Sequence, residues 1–544
     1  MTVTVRLPCD EGAILAGYPT VPTTGNSKWI LTAAILGSSM AFIDGTVVNV
    51  ALPALQTALH ATVSDIQWVV ESYALLLASL LLVGGSLGDR YGRRKIFIYG
   101  ILLFGVSSIL CGFAASISFL LLARGAQGVG AALLVPGSLA LISASFPASE
   151  RGRAIGTWSG FTAITAAIGP VLGGWLVDHA SWRWAFFINV PLAVLVIGIT
   201  VWRVPESRNE GMLSKLDWQG ATLATVGLGA ITFSLIEAPR GGIAVSLSGV
   251  IGISILAGFL LVEARSSSPM ISLVLFRSRN FTGANLLTFF LYAAFGGILF
   301  FLPLNLIQVQ HYSATEAGAA LLPLILMIFA LSRWSGGLIA RYGPKPPLTV
   351  GPLVAALGFA LLLAPGVGGP YWTTFFPAIM VLGFGMAISV APLTTTVMNA
   401  VPQSQAGAAS GINNAVSRIA GLLAVAVFGL ILYVGFNRAL DHRLDALSLS
   451  HAERQEVDRA RPNLAATKSD NPLVNRAIAE SFLAGYQIIL WTAIGLALIS
   501  ALSAQSLNPG KTDFDVSDFG VDSRIHGTVP DKREIGKGAH DNPT

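Results

Sequence analysis

Stretches of about twenty mostly apolar residues recur from Trp29 to Leu507, each long enough to cross a hydrocarbon core of roughly 30 Å as a helix. A chain crossing lipid must satisfy its own backbone N–H and C=O groups, which a helix does within a single segment. Of 544 residues, 53% are hydrophobic and only 11% charged, with mean hydropathy +0.69, far more apolar surface than a water-soluble domain needs. The expected fold class is therefore an all-α polytopic membrane protein. The pattern predicts spans at about 29–54, 66–87, 96–115, 119–143, 154–177, 183–202, 217–238, 244–263, 281–308, 317–339, 347–365, 373–398, 408–435 and 482–506, fourteen in all.

An even count places both termini on one side, and the Lys/Arg bias of short loops says which. Loops after even-numbered spans carry Arg90, Arg93, Arg94 and Lys95, then Arg151 and Arg153, Arg203, Arg208 and Lys215, Arg265, Arg277 and Arg279, and Arg341 and Lys345. Short loops after odd-numbered spans offer Arg183 and Arg240. Both termini are thus expected in the cytoplasm. Residues 1–28 lack the order of a cleaved signal and read as a tail, as do residues 507–544. The mixed-charge stretch 436–481 reads as a long outer loop with a helical excursion. Cys9 in the tail and Cys111 within a span do not suggest a structural disulfide.

The frame Gly-x-Leu-x-x-Arg-Tyr-Gly occurs twice, in "GSLGDRYG" from Gly85 and "GGLIARYG" from Gly336. The first copy joins spans 2 and 3, the second joins spans 10 and 11. Matching loops eight spans apart imply two six-helix halves related by a parallel repeat, with spans 7 and 8 set between them. The expected divisions are 29–203 for the first bundle, 204–265 for the two additional helices and their linker, and 266–506 for the second bundle with its outer loop. Such duplicated bundles hold substrate near the midplane, at the seam between halves.

Several charged or punctuating residues sit where lipid makes them expensive. Asp44 lies deep in span 1, in "AFIDGTVVNVALP", and must pair, reach water or take up a proton. Arg124 in span 4 either snorkels to water or serves function; Gly125, Gly128 and Gly130 beside it describe a close-packed face. Glu71, near the outer end of span 2, is either a wet, idle carboxylate or a proton- or cation-binding group. Arg333 has the snorkelling reading open to it, and Arg418 is a candidate partner for polar groups. Span 5 carries Gly169, Pro170, Gly173 and Gly174, a kinked packing helix on its own terms. In the loop after span 2, Gly85 and Gly88 permit close helix approach, while Asp89, Arg90, Gly92 and Arg93 make a tight, positively anchored turn.

The loop "GSLGDRYGRRK" resembles the signature loop of the major facilitator superfamily, whose Asp, here Asp89, is implied to latch the cytoplasmic side onto a helix N-terminus of the other half. Arg124, Gln127 and Gly128 resemble that superfamily's Arg-x-x-Gln-Gly motif, which implies a part for Arg124 in proton coupling. "AIGPVLGGW" is similar to the antiporter motif of its exporters, and it is followed by "SWRWAFFINVP". With the Asp44 phrase, "GAASGINNAVSRIAG" in span 13 and fourteen spans, the chain resembles the fourteen-span drug:proton antiporters of the EmrB/QacA type over roughly residues 29–435.

The resemblance implies a bacterial inner-membrane exporter that exchanges protons for lipophilic or cationic compounds, needing no cofactor or metal beyond the proton gradient. Its implied partners are a small-molecule substrate, protons and the bilayer, with room for a periplasmic adaptor and outer-membrane channel, and no nucleic acid. Phe42, Trp68, Phe289, Phe290, Tyr292 and Phe384 are candidates to line a broad pocket, although aromatics in spans also serve packing. Export of one metabolite, siderophore or antibiotic is the alternative, and a non-transporting sensor comes from another class. An enzyme is not expected: the sequence has no His-Glu-x-x-His, Gly-x-Ser-x-Gly or phosphate-binding Gly-x-x-x-x-Gly-Lys-Ser/Thr motif.

Overall fold

The structure, a computed structural model, describes residues 26–208, 217–266, 269–402, 405–447, 449–467 and 469–507. The expected tails lie almost wholly outside the described residues. Thirteen described helices are long and apolar enough to cross a membrane, and Lys345–Leu361 is a shorter fourteenth. In order, spans 1 to 4 are Ser27–Ala58, Val63–Tyr91, Arg93–Gly112 and Ile117–Ser145, span 5 is Ala148–His179, and span 6 runs over 184–203. Trp218–Glu237 and Ile243–Arg265 form spans 7 and 8. Spans 9 to 14 occupy 279–309, 314–342, Lys345–Leu361, Phe375–Asn399, Ala406–Asp445 and Pro472–Ser503.

Helix contacts reproduce the duplication read from the paired loops. Span 1 packs on spans 4, 5 and 6, span 4 on 2 and 3, and span 3 on 6. Adding eight to each number gives the contacts of the second half, where span 9 packs on 12, 13 and 14, span 12 on 10 and 11, and span 11 on 14. The halves meet where span 5 faces span 10 and where span 2 faces span 13. Spans 7 and 8 form a hairpin whose first helix lies against both span 2 and span 13. Of span 8, only Gly252, Phe259 and Glu263 are buried, so most of its apolar surface faces outward.

The two signature loops end their first helices in the same way. Gly92 has φ +110° and Gly343 has φ +76°, a backbone region that side chains disfavour, which is why both copies keep a glycine there. The copies differ where the first holds an ion pair. Asp89 accepts from Nε and Nη2 of Arg93 at 2.9 and 2.7 Å, and the matching positions in the second copy are Ala340 and Pro344, so both partners are absent together. Glu206, after span 6, accepts from the backbone N–H groups of Arg94 and Lys95 and caps span 3.

The stretch 436–481 corrects the sequence reading in part. Span 13 continues as helix to Asp445, and span 14 begins at Pro472, so less of this stretch is loop. Hydropathy marks where a helix leaves lipid, whereas these ends continue in helix with ion pairs such as Arg443–Glu480 and Arg476–Glu480. Between them His451–Ala460 and Arg461–Ala466 fold back as a cap. Arg461 bonds Asp441, Asp458 and Asn437, Arg454 bonds Asp441 and Asp445, and Leu464 is fully buried.

The end of the bundle that carries this cap, and the turn between spans 1 and 2, is here termed distal; the other end, with the signature loops, proximal. Distally, the Gln56 amide donates to the Asn463 carbonyl and accepts from Gln308, while Gln67 donates to the Val425 carbonyl at 2.9 Å. Asp178, at the end of span 5, accepts from the backbone N–H groups of Ala314 and Thr315 and from the Thr315 hydroxyl, capping the first turn of span 10. A cavity of about 930 Å³ lies at this end, bounded by Pro53, Asp178, Gln308, Tyr312, Thr467 and Ile478. Glycines make the closure possible: a Cβ on Gly174 would collide with the Ala314 carbonyl, and one on Gly318 with the Pro170 carbonyl. Gly318→Leu is expected to pry spans 5 and 10 apart and lower stability by about 1–3 kcal/mol, read as a fall in melting temperature of the detergent-purified protein.

Candidate functional site

Asp44 and Arg124 meet in the interior of the first half. Asp44 is fully buried and Arg124 is 1% exposed, with Arg124 Nη1 2.6 Å from Asp44 Oδ2. The snorkelling alternative for Arg124 is therefore overturned. Arg124 Nε donates to the Val69 carbonyl at 2.9 Å, Nη1 also donates to Gln127 Oε1 at 2.7 Å, and the guanidinium lies 4.4 Å from the Tyr73 ring centroid. A planar fork with several donors suits this placement, whereas a lysine point charge would not serve these partners together.

The second oxygen of Asp44 is equally occupied. Gln127 Nε2 donates to Oδ1 at 2.8 Å and Asn189 Nδ2 donates to it at 3.1 Å, and both amides also approach the Ser108 hydroxyl. Five spans contribute: Asp44 from span 1, the Val69 carbonyl and Tyr73 from span 2, Ser108 from span 3, Arg124 and Gln127 from span 4, and Asn189 from span 6. Helical spacing puts Arg124 and Gln127 on one face, three residues apart. Every group touching the carboxylate is a donor, so the arrangement suits the ionised form. An added proton finds no acceptor unless a neighbour turns. Asn189 Oδ1 is buried without a hydrogen-bond partner among the described residues.

The span-4 glycines hold the neighbouring helices close to this pair. A Cβ on Gly128 would lie 2.5 Å from the Tyr73 carbonyl oxygen, and one on Gly130 would lie 2.7 Å from Phe104 N. In span 5, Gly169 faces Thr46 and Gly173 faces Val47, so the run that includes Pro170 packs against span 1 one turn beyond Asp44, while Gly174 reaches the other half. In the signature loop the tight approach belongs to Gly84, against the Ala132 carbonyl, and not to Gly85 or Gly88.

Other candidates stand apart. Asp89 bonds Arg93 of its own loop and, among the described residues, nothing in the other half; Arg90 lies against Tyr91. Glu71 is 1% exposed, which overturns the wet-carboxylate reading, and it makes no bond to the Asp44 network. Arg418 is half-buried within electrostatic reach of Tyr73, and Arg333 is exposed. The aromatics do not converge: Trp68 donates to Glu237 of span 7, Phe384 stacks on Trp334, and Phe289 and Tyr292 pack around Ala420 and Ala424. Ser108, Asn189 and Tyr73 join this network although none of them carries a charge that would mark it in the sequence. Gln127→Leu, which removes two donors and an acceptor from this network, is expected to cost about 1–3 kcal/mol in chemical or thermal unfolding.

The comparisons with known proteins agree with this architecture. Multidrug resistance protein Stp of Mycobacterium tuberculosis is 36% identical over 422 residues, 76% of this chain and 78% of that protein. The tetracenomycin C resistance and export protein of Streptomyces glaucescens is 34% identical over 78% of this chain and 79% of its own length. Puromycin resistance protein pur8 of Streptomyces alboniger is 32% identical over 89% and 92%. Among solved structures, a bacterial homolog of the human lysosomal transporter Spinster, inward-facing and unoccupied, superposes with TM-score 0.64 at 18% identity, covering 89% of this chain and 98% of that one. The family model described as Major Facilitator Superfamily matches residues 34–425, and the chain belongs to that superfamily of transporters.

Proposed function

We propose that the protein is a proton-driven exporter of lipophilic or cationic toxic compounds, with Asp44 as the residue that carries the proton. The carrying observation is the Asp44–Arg124 pair, sealed among Gln127, Asn189 and Ser108 inside one half of a duplicated bundle. The names of the relatives, a multidrug resistance protein and antibiotic resistance proteins, support export as the direction. Both tails and the proximal end are assigned to the cytoplasm of a bacterial inner membrane, from the basic loops that join spans 2 to 3 and 10 to 11.

In this reading a proton arriving from outside neutralises Asp44 and leaves Arg124 with the Val69 carbonyl, Gln127 and the Tyr73 ring. A half-turn of the Asn189 amide presents its unpartnered Oδ1 to the new Asp44 hydroxyl. Loss of the proton inward restores the ion pair. Because a buried pair and its broken form differ by several kcal/mol, each protonation state favours a different packing of the surrounding helices. Each proton moved down one pH unit supplies about 1.4 kcal/mol, enough for a tenfold substrate gradient. Hydrogen bonds at Gln56, Gln67 and Asp178 join the halves beside the distal cavity, and Asp89 pairs with Arg93 of its own loop; these contacts support a state that loads substrate from the cytoplasm.

A second reading, export of one antibiotic, draws on the single-compound names of the tetracenomycin C and puromycin resistance proteins. Proteoliposomes with an internal pH dye and an imposed gradient separate the readings when challenged with a panel of lipophilic cations and neutral drugs. Proton movement is expected with several compounds and is abolished in Asp44→Asn. A response to a single compound favours the narrow exporter. Full gradient-driven transport by Asp44→Asn would make the proton role of this residue wrong.

A further inference from the structure

We propose that Glu71 is a second proton-binding residue of the transport cycle, one that must be protonated for the seam between spans 2 and 13 to close. The proposal rests on the alternating-access reading above, but its site is separate from Asp44. Two contacts fix the register of these antiparallel helices: Gln67 reaches the Val425 carbonyl and Gly429, and Leu82 lies against Gly411. On a helix of 3.6 residues per turn, positions 67, 71, 78 and 82 share one face, so Glu71 stands on the stripe that faces the other half. Trp68 and Leu75, on the adjacent stripe, contact Glu237 and Gly229 of span 7. Glu71 thus lies where spans 2, 13 and 7 converge, and Tyr73, which serves Arg124, points to the opposite side.

Glu71 is 1% exposed, and no hydrogen bond or ion pair among the described residues compensates its Oε2. The charged groups on the packed elements are committed elsewhere or lie apart. Asp44 of span 1 and Arg124 of span 4 hold each other, Glu237 of span 7 holds Trp68 and Arg240, and Asp65 of span 2 holds the Thr62 cap. Arg93 at the proximal end of span 3 pairs with Asp89, and Arg461 of the cap binds Asp441 and Asp458. Arg418 shares with Gly411 and Val425 the stripe of span 13 that faces span 2 and lies about one turn beyond the Glu71 level, but among the described residues no ion pair joins it to Glu71.

Removing a carboxylate from water without a partner costs several kcal/mol, and adding a proton avoids that cost. The closed seam therefore holds Glu71 as the neutral acid, whereas a seam opened to water allows it to ionise. Closure takes up one proton from whichever side the seam faces. The sign follows directly: the closed state binds more protons, so its population rises as pH falls, by up to tenfold per pH unit. An acidic exterior would thus drive the emptied exporter back to its distal-closed state.

The test is a distance measurement between spin labels at Ala58→Cys and Leu473→Cys, exposed distal positions in opposite halves, with Cys9 and Cys111 replaced by Ser and the protein in lipid nanodiscs. Acidification is expected to raise the short-distance, distal-closed population. Glu71→Gln, a permanent mimic of the protonated acid, is expected to be more closed than wild type at alkaline pH and to lose up to about tenfold per pH unit of the response. The same loss is expected when Glu71→Gln is compared with Glu71 in an Asp44→Asn background, which isolates this site from the other. Glu71→Gln profiles that overlay their parents in both backgrounds, or a variant more open than its parent, would overturn the proposal. Neither outcome bears on whether Asp44 drives transport, which the liposome assay reads.

Discussion

An aspartate and an arginine, buried together at 2.6 Å within the first half, set terms that the neighbouring helices must meet. Arginine cannot shed its charge in a protein, so Arg124 obliges its surroundings to supply an anion or a set of acceptors. Span 1 supplies Asp44, span 2 the Val69 carbonyl and the Tyr73 ring, and span 4 itself Gln127. Those partners must approach closely, and the glycines of span 4 let the backbones of spans 2 and 3 do so. The packing of the first half and the chemistry of its acid are one arrangement.

The second half has the same helix contacts and a different interior. It holds a neutral polar cluster, in which Asn413 donates to Asn285 and to Thr288, and the half-buried Arg418 five residues further along span 13. The two halves thus share a scaffold, and the buried Asp44–Arg124 pair belongs to the first. The seam itself is polar at the distal end, through Gln56, Gln67 and Asp178, and glycine-rich where spans 5 and 10 cross. Span 7 lies against both span 2 and span 13, which places the additional hairpin at the boundary between the halves and not within either.

What the sequence made legible follows from the range of each signal. Helical spans are local patterns of hydropathy, and the duplicated loop is a local motif, so the fourteen helices and the repeat were readable from the chain. Asp44 and Arg124 were readable because charge in lipid is costly and therefore conspicuous, and Gln127 through the motif that it shares with Arg124 and Gly128. Ser108 and Asn189 carry no such mark, since a serine or asparagine in a span can be satisfied by its own backbone. Only the fold brings them to Asp44. Helix ends beyond lipid were misplaced around 436–481 for the reason that hydropathy falls there while helix persists. Asp178 escaped notice because its role is to cap a helix in the other half, 136 positions away from Ala314. The latch expected of Asp89 is not made in this structure, where its carboxylate accepts from Arg93 of its own loop.

The central claim is that Asp44 alternates between an ion paired with Arg124 and a neutral acid as the transporter turns over. Infrared difference spectroscopy of the carboxylic-acid C=O band, on protein reconstituted in lipid and switched by adding a transported compound, observes that exchange directly. The account predicts a band that changes on substrate addition, shifts with isotope-labelled aspartate and is absent in Asp44→Asn. A substrate-evoked spectrum with no aspartic-acid component, in protein that still transports, would contradict it.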